Sequence, residues 1–131
     1  MSDRIDTLMC LYEALSQQDW VKIRELFVDD AYLVEGARRA TDPQARVSYF
    51  GIEEIIGFFR EEIDGEDQFT IRPTGFMEDG DRVAMFWEAR RVDTGSMQGT
   101  ITRGIDVFAF RDDRIAGGRV YIDLAPEIVT E

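Results

Sequence analysis

The sequence predicts an α+β fold. Three observations carry that reading. Apolar residues recur at helical spacing in the first half of the chain. The second half alternates and is broken by hairpin turns. The segments 83–92 and 97–110 carry apolar residues at both parities, the mark of a sheet covered on both faces. Helices gathered at one end and a meander at the other are the segregated arrangement of α+β folds.

The elements follow in order. Leu8, Leu11, Tyr12 and Leu15 form the apolar stripe of a helix over 5–17. Cys10 reads as a buried thiol of that helix. Asp19 caps a second helix over 20–27, ended by Asp29 and Asp30. A short strand over 31–35 follows. Residues 36–48 have no period and read as a long loop, of the kind that forms either a lid or a surface excursion. Ile52, Ile55, Ile56, Phe59 and Ile63 restore helical spacing over 51–63, and Asp64–Gly65 stops it. Strands over 69–77, 83–92, 97–110 and 115–124 complete the chain. Their turns are Asp79–Gly80–Asp81, Thr94–Gly95 and 111–114, and Pro126 marks the end of the last strand. The 131 residues are one domain's worth. Three helices cover one sheet face, so the other is expected to meet a second copy in a homodimer.

Composition removes several function classes. A net charge of −12 and no Lys/Arg cluster larger than a pair leave no cationic face for nucleic acid or an anionic membrane. The absence of histidine removes Ser–His–Asp and Cys–His catalysis and the commonest metal ligand. A single cysteine makes neither an intrachain disulfide nor a Cys-rich zinc site. No glycine loop of phosphate-cradling type is present, so neither a metal nor an organic cofactor is expected. The acidic, polar start reads as cytoplasmic.

The element order, with Leu-Phe-Val-Asp-Asp-Ala at 26–31, Gly-Ile-Glu-Glu-Ile-Ile-Gly-Phe-Phe at 51–59, Asp-Gly-Asp-Arg-Val-Ala at 79–84 and Gly-Ile-Asp-Val-Phe-Ala-Phe at 104–110, resembles the nuclear-transport-factor-2-like superfamily. The resemblance runs over about residues 5–125. It implies a cone-shaped, curved, mixed and largely antiparallel sheet, with three helices on its concave face around an apolar pocket. The superfamily includes ketosteroid isomerases, SnoaL-like polyketide cyclases and limonene epoxide hydrolases, besides proteins that only bind. Laid over a ketosteroid isomerase, the general-base position falls on Glu35 and the protonated-acid position on Asp106. The donor tyrosine falls on Leu11, with Tyr12 next to it, and further tyrosines fall on Phe59 and Phe27. That hydroxyl network is therefore missing, and the steroid activity is not carried over. Laid over an epoxide hydrolase, the Asp–Arg–Asp set meets Glu88 and Arg90 in reversed order, with Val120 at the remaining acid.

Alternation gives the site a second, independent reading. If Asp106 points toward the helices, so do Gly104, Phe108 and Phe110. Ala84, Phe86, Glu88 and Arg90 are expected on the same face of the preceding strand, and Gly118, Val120 and Ile122 on the last. Trp87, of opposite parity to Phe86, is expected in the core or the interface. The expected pocket places Tyr12, Leu15, Phe59, Phe86, Glu88, Arg90, Phe108 and Val120 around an apolar small molecule, with Glu35 and Asp106 as catalytic carboxyls. Carboxyls crowded into such a space are driven toward raised pKa values, which suits acid–base work near neutral pH.

Each assignment has a plainer counterpart. Glu35 also reads as a strand-end carboxylate, Asp106 as a structural hydrogen-bonding group, and Glu88 with Arg90 as a structural ion pair. Three functions are compatible with these residues. The first is a cofactor-independent isomerase, cyclase or lyase acting on an apolar carbonyl compound. The second is a binding or assembly module without chemistry. The third is epoxide hydration through Glu88 and Arg90.

Overall fold

A computed structural model describes residues 3–35, 47–63, 68–93, 95–123 and 127–130. Helix α1 spans Asp3–Gln17. Its stripe of Ile5, Leu8, Leu11, Tyr12 and Leu15 is buried. Cys10 is exposed, contrary to expectation. It stands two residues from both Leu8 and Tyr12, which at about 100° per residue turns it to the far side of the helix. Gln18 closes α1 in a left-handed conformation (φ 55°). Helix α2, Trp20–Leu26, starts at the expected cap: the Asp19 carboxylate accepts from the Lys22 amide at 3.1 Å.

Strand β1 follows α2 without a turn and runs Phe27–Glu35, longer than expected. Asp29 and Asp30 do not end the helix. They sit in an irregular stretch of β1 where the register slips between Phe27 and Tyr32. Strand β2, Ser48–Phe50, pairs antiparallel with β1 and lies at the end of what the sequence read as loop. Gly51 (φ 86°) then turns the chain into α3, Ile52–Ile63. Its amide donates to the Ala31 carbonyl at 2.7 Å, which ties the start of α3 to β1. The proposed stop at Asp64–Gly65 and most of the 36–48 loop lie outside the described residues.

The meander is as expected, with strands one or two residues longer at most ends. It consists of β3 Gln68–Asp79, β4 Arg82–Asp93, β5 Gln98–Arg111 and β6 Arg114–Ile122. A further strand, β7, Glu127–Thr130, pairs with β5 beyond Pro126. The strand order is β2-β1-β6-β5-β4-β3, with β7 also on β5. β1 and β6 are parallel and the other described pairs antiparallel, so the sheet is mixed. Three helices on a curved, unclosed sheet make the α+β cone that the resemblance implied. The core joins Leu8, Leu11 and Tyr12 of α1 and Ile55 of α3 to Phe27, Leu33, Met85, Phe108 and Ile115 of the sheet. Each such side chain contributes roughly 1.5–3 kcal/mol by leaving water.

One expectation about the faces is overturned. Asp106 of β5 stands opposite Met85 of β4. Directly opposed residues share a face, so Val83, Met85, Trp87 and Ala89 are the buried, helix-facing set. Phe86, Glu88 and Arg90 therefore project from the outer face, and Trp87 from the inner one.

Candidate functional site

A cavity of about 300 Å³ opens between α1, α3 and the inner sheet face. Leu15 and Phe58, Phe59 and Ile63 form its helical wall. Phe69, Ile71, Trp87, Ala89, Val120 and Ile122 form its sheet wall. The polar groups on this apolar lining are Glu35, Asp106, Thr102, Arg91, Glu62 and Asp123.

Glu35 and Asp106 arrive on one wall through β6. Glu35 of β1 pairs with Val120 from one side and Asp106 of β5 pairs with it from the other. Both carboxyls are buried, at 4% and 7% exposure. The two backbones are two strand spacings apart, about 9–10 Å. The Glu35 amide donates to the Val47 carbonyl at 2.8 Å, fixing the end of β1 beside the cavity.

Asp106 is the electrostatic centre. The Tyr12 hydroxyl donates to Asp106 Oδ2 at 2.7 Å. Burial raises the Asp106 pKa to about 7, against a smaller pull back from Tyr12 and from the Trp87 indole. Burial, then the Asp106 charge, raises Tyr12 well above its ordinary value, so its hydroxyl keeps its proton and donates. Trp87 and Asp106 are diagonal neighbours on adjacent strands, since Trp87 faces Gly104 and Asp106 faces Met85. The indole lies over Gly104, where a Cβ would overlap it. Trp87 Nε1 and Asp106 Oδ1 are both buried and reach no strict hydrogen-bond geometry among the described residues.

At the other end, Arg91 Nη2 donates to the Glu62 carbonyl at 2.8 Å, and the guanidinium sits 5.2 Å from the centre of the Phe69 ring. No group of three or more His, Cys, Asp and Glu side chains suited to a metal ion occurs among the described residues.

The site residues inferred from sequence thus divide into three sets. Glu35, Asp106, Leu15, Phe59 and Val120 line the cavity together. Tyr12 and Phe108 are buried one layer behind its wall, Tyr12 reaching it only through Asp106. Phe86, Glu88 and Arg90 are not in it. Glu88 instead faces Arg103 at 3.7 Å and Arg72 at 3.6 Å on the outer face, so the residues proposed for epoxide hydration do not meet the cavity. The residues missed are chiefly Trp87, Ala89 and Arg91. The hairpin held the signal. A loop with an even number of residues pairs odd-numbered with even-numbered positions, so a turn at Thr94–Gly95 already sets Asp106 against the odd-numbered face of β4.

A model of the SnoaL-like domain matches residues 10–117. The chain belongs to the SnoaL-like domain family. No curated protein matches it. Among solved structures, this SnoaL-like chain is similar to wild-type IdmH from Streptomyces antibioticus, proposed to be a polyketide cyclase. That match has 22% identity over 93% of each chain and a TM-score of 0.79. It is also similar to a proposed ketosteroid isomerase from Kribbella flavida DSM 17836. There the identity is 16% over 95% of this chain and 80% of the other, with a TM-score of 0.72. A third is an LEH-like epoxide hydrolase from M. tuberculosis, at 17% identity over 93% and 84%, with a TM-score of 0.71. At such identities the likeness is one of fold. The three descriptions differ in chemistry, so fold does not choose among them. No helix among the described residues is long and apolar enough to cross a membrane.

Proposed function

We propose that this SnoaL-like protein binds an apolar, carbonyl-containing small molecule in the cavity and moves protons on it without a cofactor, as an isomerase, cyclase or lyase. One observation carries the reading: two buried carboxyls project from a single wall of an apolar cavity, and one of them has its pKa raised to about 7. A group that is about half protonated near neutral pH is suited to give and take protons there. Glu35, as carboxylate, removes the proton alpha to the carbonyl. Neutral Asp106 donates to the oxygen on which charge develops, which stabilises the enolate where water is excluded. Tyr12 holds Asp106 from behind and does not touch the ligand. Apolar walls supply the binding energy and leave the two carboxyls to fix orientation.

The test is solvent-deuterium exchange at the alpha carbon of a panel of enolisable aryl and cyclic ketones, followed by proton NMR. The protein should accelerate exchange, and Glu35→Gln and Asp106→Asn should each slow it by about 10²–10⁴-fold with folding intact. Ketones that bind while neither variant changes the exchange rate would make the protein a binding module instead.

A further inference from the structure

We infer that Thr102 sets specificity: its hydroxyl reads a second, neutral hydroxyl that the ligand carries at the Arg91 end of the cavity. This rests on the proton-transfer reading above and narrows the ligand to a hydroxylated ketone. Thr102 lines the cavity and is part-exposed. It stands opposite the buried Ala89 of β4 and so lies on the inner face of β5. Ala89 ends at its β carbon, so its side chain does not cover the threonine. The Thr102 hydroxyl makes no hydrogen bond among the described residues. Asp106 lies four residues further along the same strand face, about 13 Å away. Hydrogen bonds of about 2.8 Å at each end leave roughly 7–8 Å between two ligand oxygens, the reach of a substituted two-ring skeleton. The cavity, at about 300 Å³, is at the small end for ligand sites, so one compact molecule meets both ends.

The neighbours of Thr102 set the chemistry of the group it meets. Arg91 faces Thr100, which makes it the diagonal neighbour of Thr102 across β4 and β5. Its hydrogen bond to the Glu62 carbonyl brings the end of α3 to the same place. The Asp123 amide donates to the Arg103 carbonyl at 2.9 Å, which sets Asp123 beside the residue next to Thr102. Arg91, Glu62 and Asp123 all line the cavity with Thr102. A ligand carboxylate there would meet Glu62 and Asp123, and an ammonium would meet Arg91. One guanidinium among two carboxylates gives neither ion a favourable field. A hydroxyl both donates and accepts and carries no charge, so it suits this mixture. Thr102 is itself such a group, and it takes no part in the proton transfer at Glu35 and Asp106.

The probes are an acetylnaphthalene with a hydroxyl on its far ring and the same ketone with a methyl in place of that hydroxyl. The two have nearly the same size, so their affinity ratio isolates the oxygen. Titration calorimetry should find the hydroxyl ketone bound more tightly by the unaltered protein. Thr102→Val keeps the shape and deletes the hydroxyl, and should reduce the ratio about fivefold. Thr102→Ser restores the hydroxyl and should restore most of the ratio, which a merely structural threonine would not do. The ketone with a carboxylate at the same position should bind more weakly than the hydroxyl ketone. If both ketones bind and the ratio is the same in Thr102→Val, or the carboxylate binds most tightly, the inference is overturned and the cavity reading stands. If neither ketone binds the unaltered protein, the cavity reading fails and takes this inference with it. Should Thr102→Val not fold, nuclear Overhauser contacts in the unaltered protein decide. The Thr102 methyl should then contact the ring protons beside the ligand hydroxyl, and contact with the acetyl group instead would overturn the inference.

Discussion

Glu35 and Asp106 flank Val120 from opposite sides, because β1 pairs parallel with β6 at the residue where β5 pairs antiparallel with it. One valine thus sets the separation of two buried carboxyls and turns both to the same wall. The β5–β6 hairpin brings Asp106 beside Val120, whereas Glu35 arrives only through the long-range pairing of β1 with β6.

The raised pKa of Asp106 makes stability depend on pH in a defined direction. An acid whose folded pKa is raised binds its proton more tightly when folded, so its protonated form favours folding. That contribution is lost as pH rises from the ordinary value of 3.8 through about 7. Asp106→Asn carries no such charge. Its stability to urea, relative to the unaltered protein, should therefore improve by a few kcal/mol between about pH 5 and about pH 8. A difference that is flat over that window would mean that Asp106 is ionised throughout it.

Tyr12 acts on Asp106 in the opposite sense to burial, since its hydrogen bond favours the ionised carboxyl. Tyr12→Phe deletes the donor and leaves Oδ2 buried. The Asp106 midpoint, followed by ¹³C NMR of the carboxyl carbon, should rise above about 7. Stability should fall by about 1–3 kcal/mol where Asp106 is ionised. A midpoint that stays or falls would mean that the hydroxyl does not donate to the carboxylate.

Much of this was readable from the sequence, and the failures have identifiable causes. Helical stripes and hairpin turns placed α1 to α3 and β3 to β6, because those signals are local. The parity of β4 was not read correctly, because Met85, Phe86 and Trp87 are apolar in succession and Glu88, Arg90 and Arg91 put charge on both faces. Such a strand does not announce which side is inner, and a slip of one residue exchanges every side chain between faces. Strand β2 is three residues long and gains its order from pairing with β1, so no periodicity could have found it. Glu35 and Asp106 were found through resemblance. Trp87 required the register.

Gly104 sits directly opposite Trp87, and a methyl group there would strike the indole and approach the Tyr121 carbonyl to 2.6 Å. Gly104→Ala should cost about 1–3 kcal/mol of stability through overpacking. It should also move the indole, visible as a change in near-ultraviolet circular dichroism. In a double-mutant cycle, Trp87→Phe should recover part of the cost, because the two sites share one overlap. Additive effects would mean that the strain comes from the Tyr121 carbonyl alone.

The outer sheet face carries its own expectation. Phe86, Ile105 and Tyr121 form a ladder across β4, β5 and β6, since Ile105 pairs with both of the others. Ile105 is 37% and Tyr121 43% exposed, with Tyr32 at 39% on β1 of the same face. Charged side chains border this strip, with Glu88 facing Arg72 and Arg103. We propose that the strip is covered by a second copy of the chain, as the apolar residues at both parities of β4 and β5 led us to expect. An isologous pairing of this kind presents the same strip on both partners, so one substitution acts twice. Ile105→Glu would place a carboxylate against its own symmetry mate or its neighbours and desolvate it. Sedimentation equilibrium at micromolar concentration should find a dimer for the unaltered protein and a monomer for Ile105→Glu, with the helical circular dichroism retained. The Asp106 titration should survive in that monomer, because Asp106 faces the other side of the sheet. A monomeric unaltered protein would overturn the dimer and leave the cavity untouched.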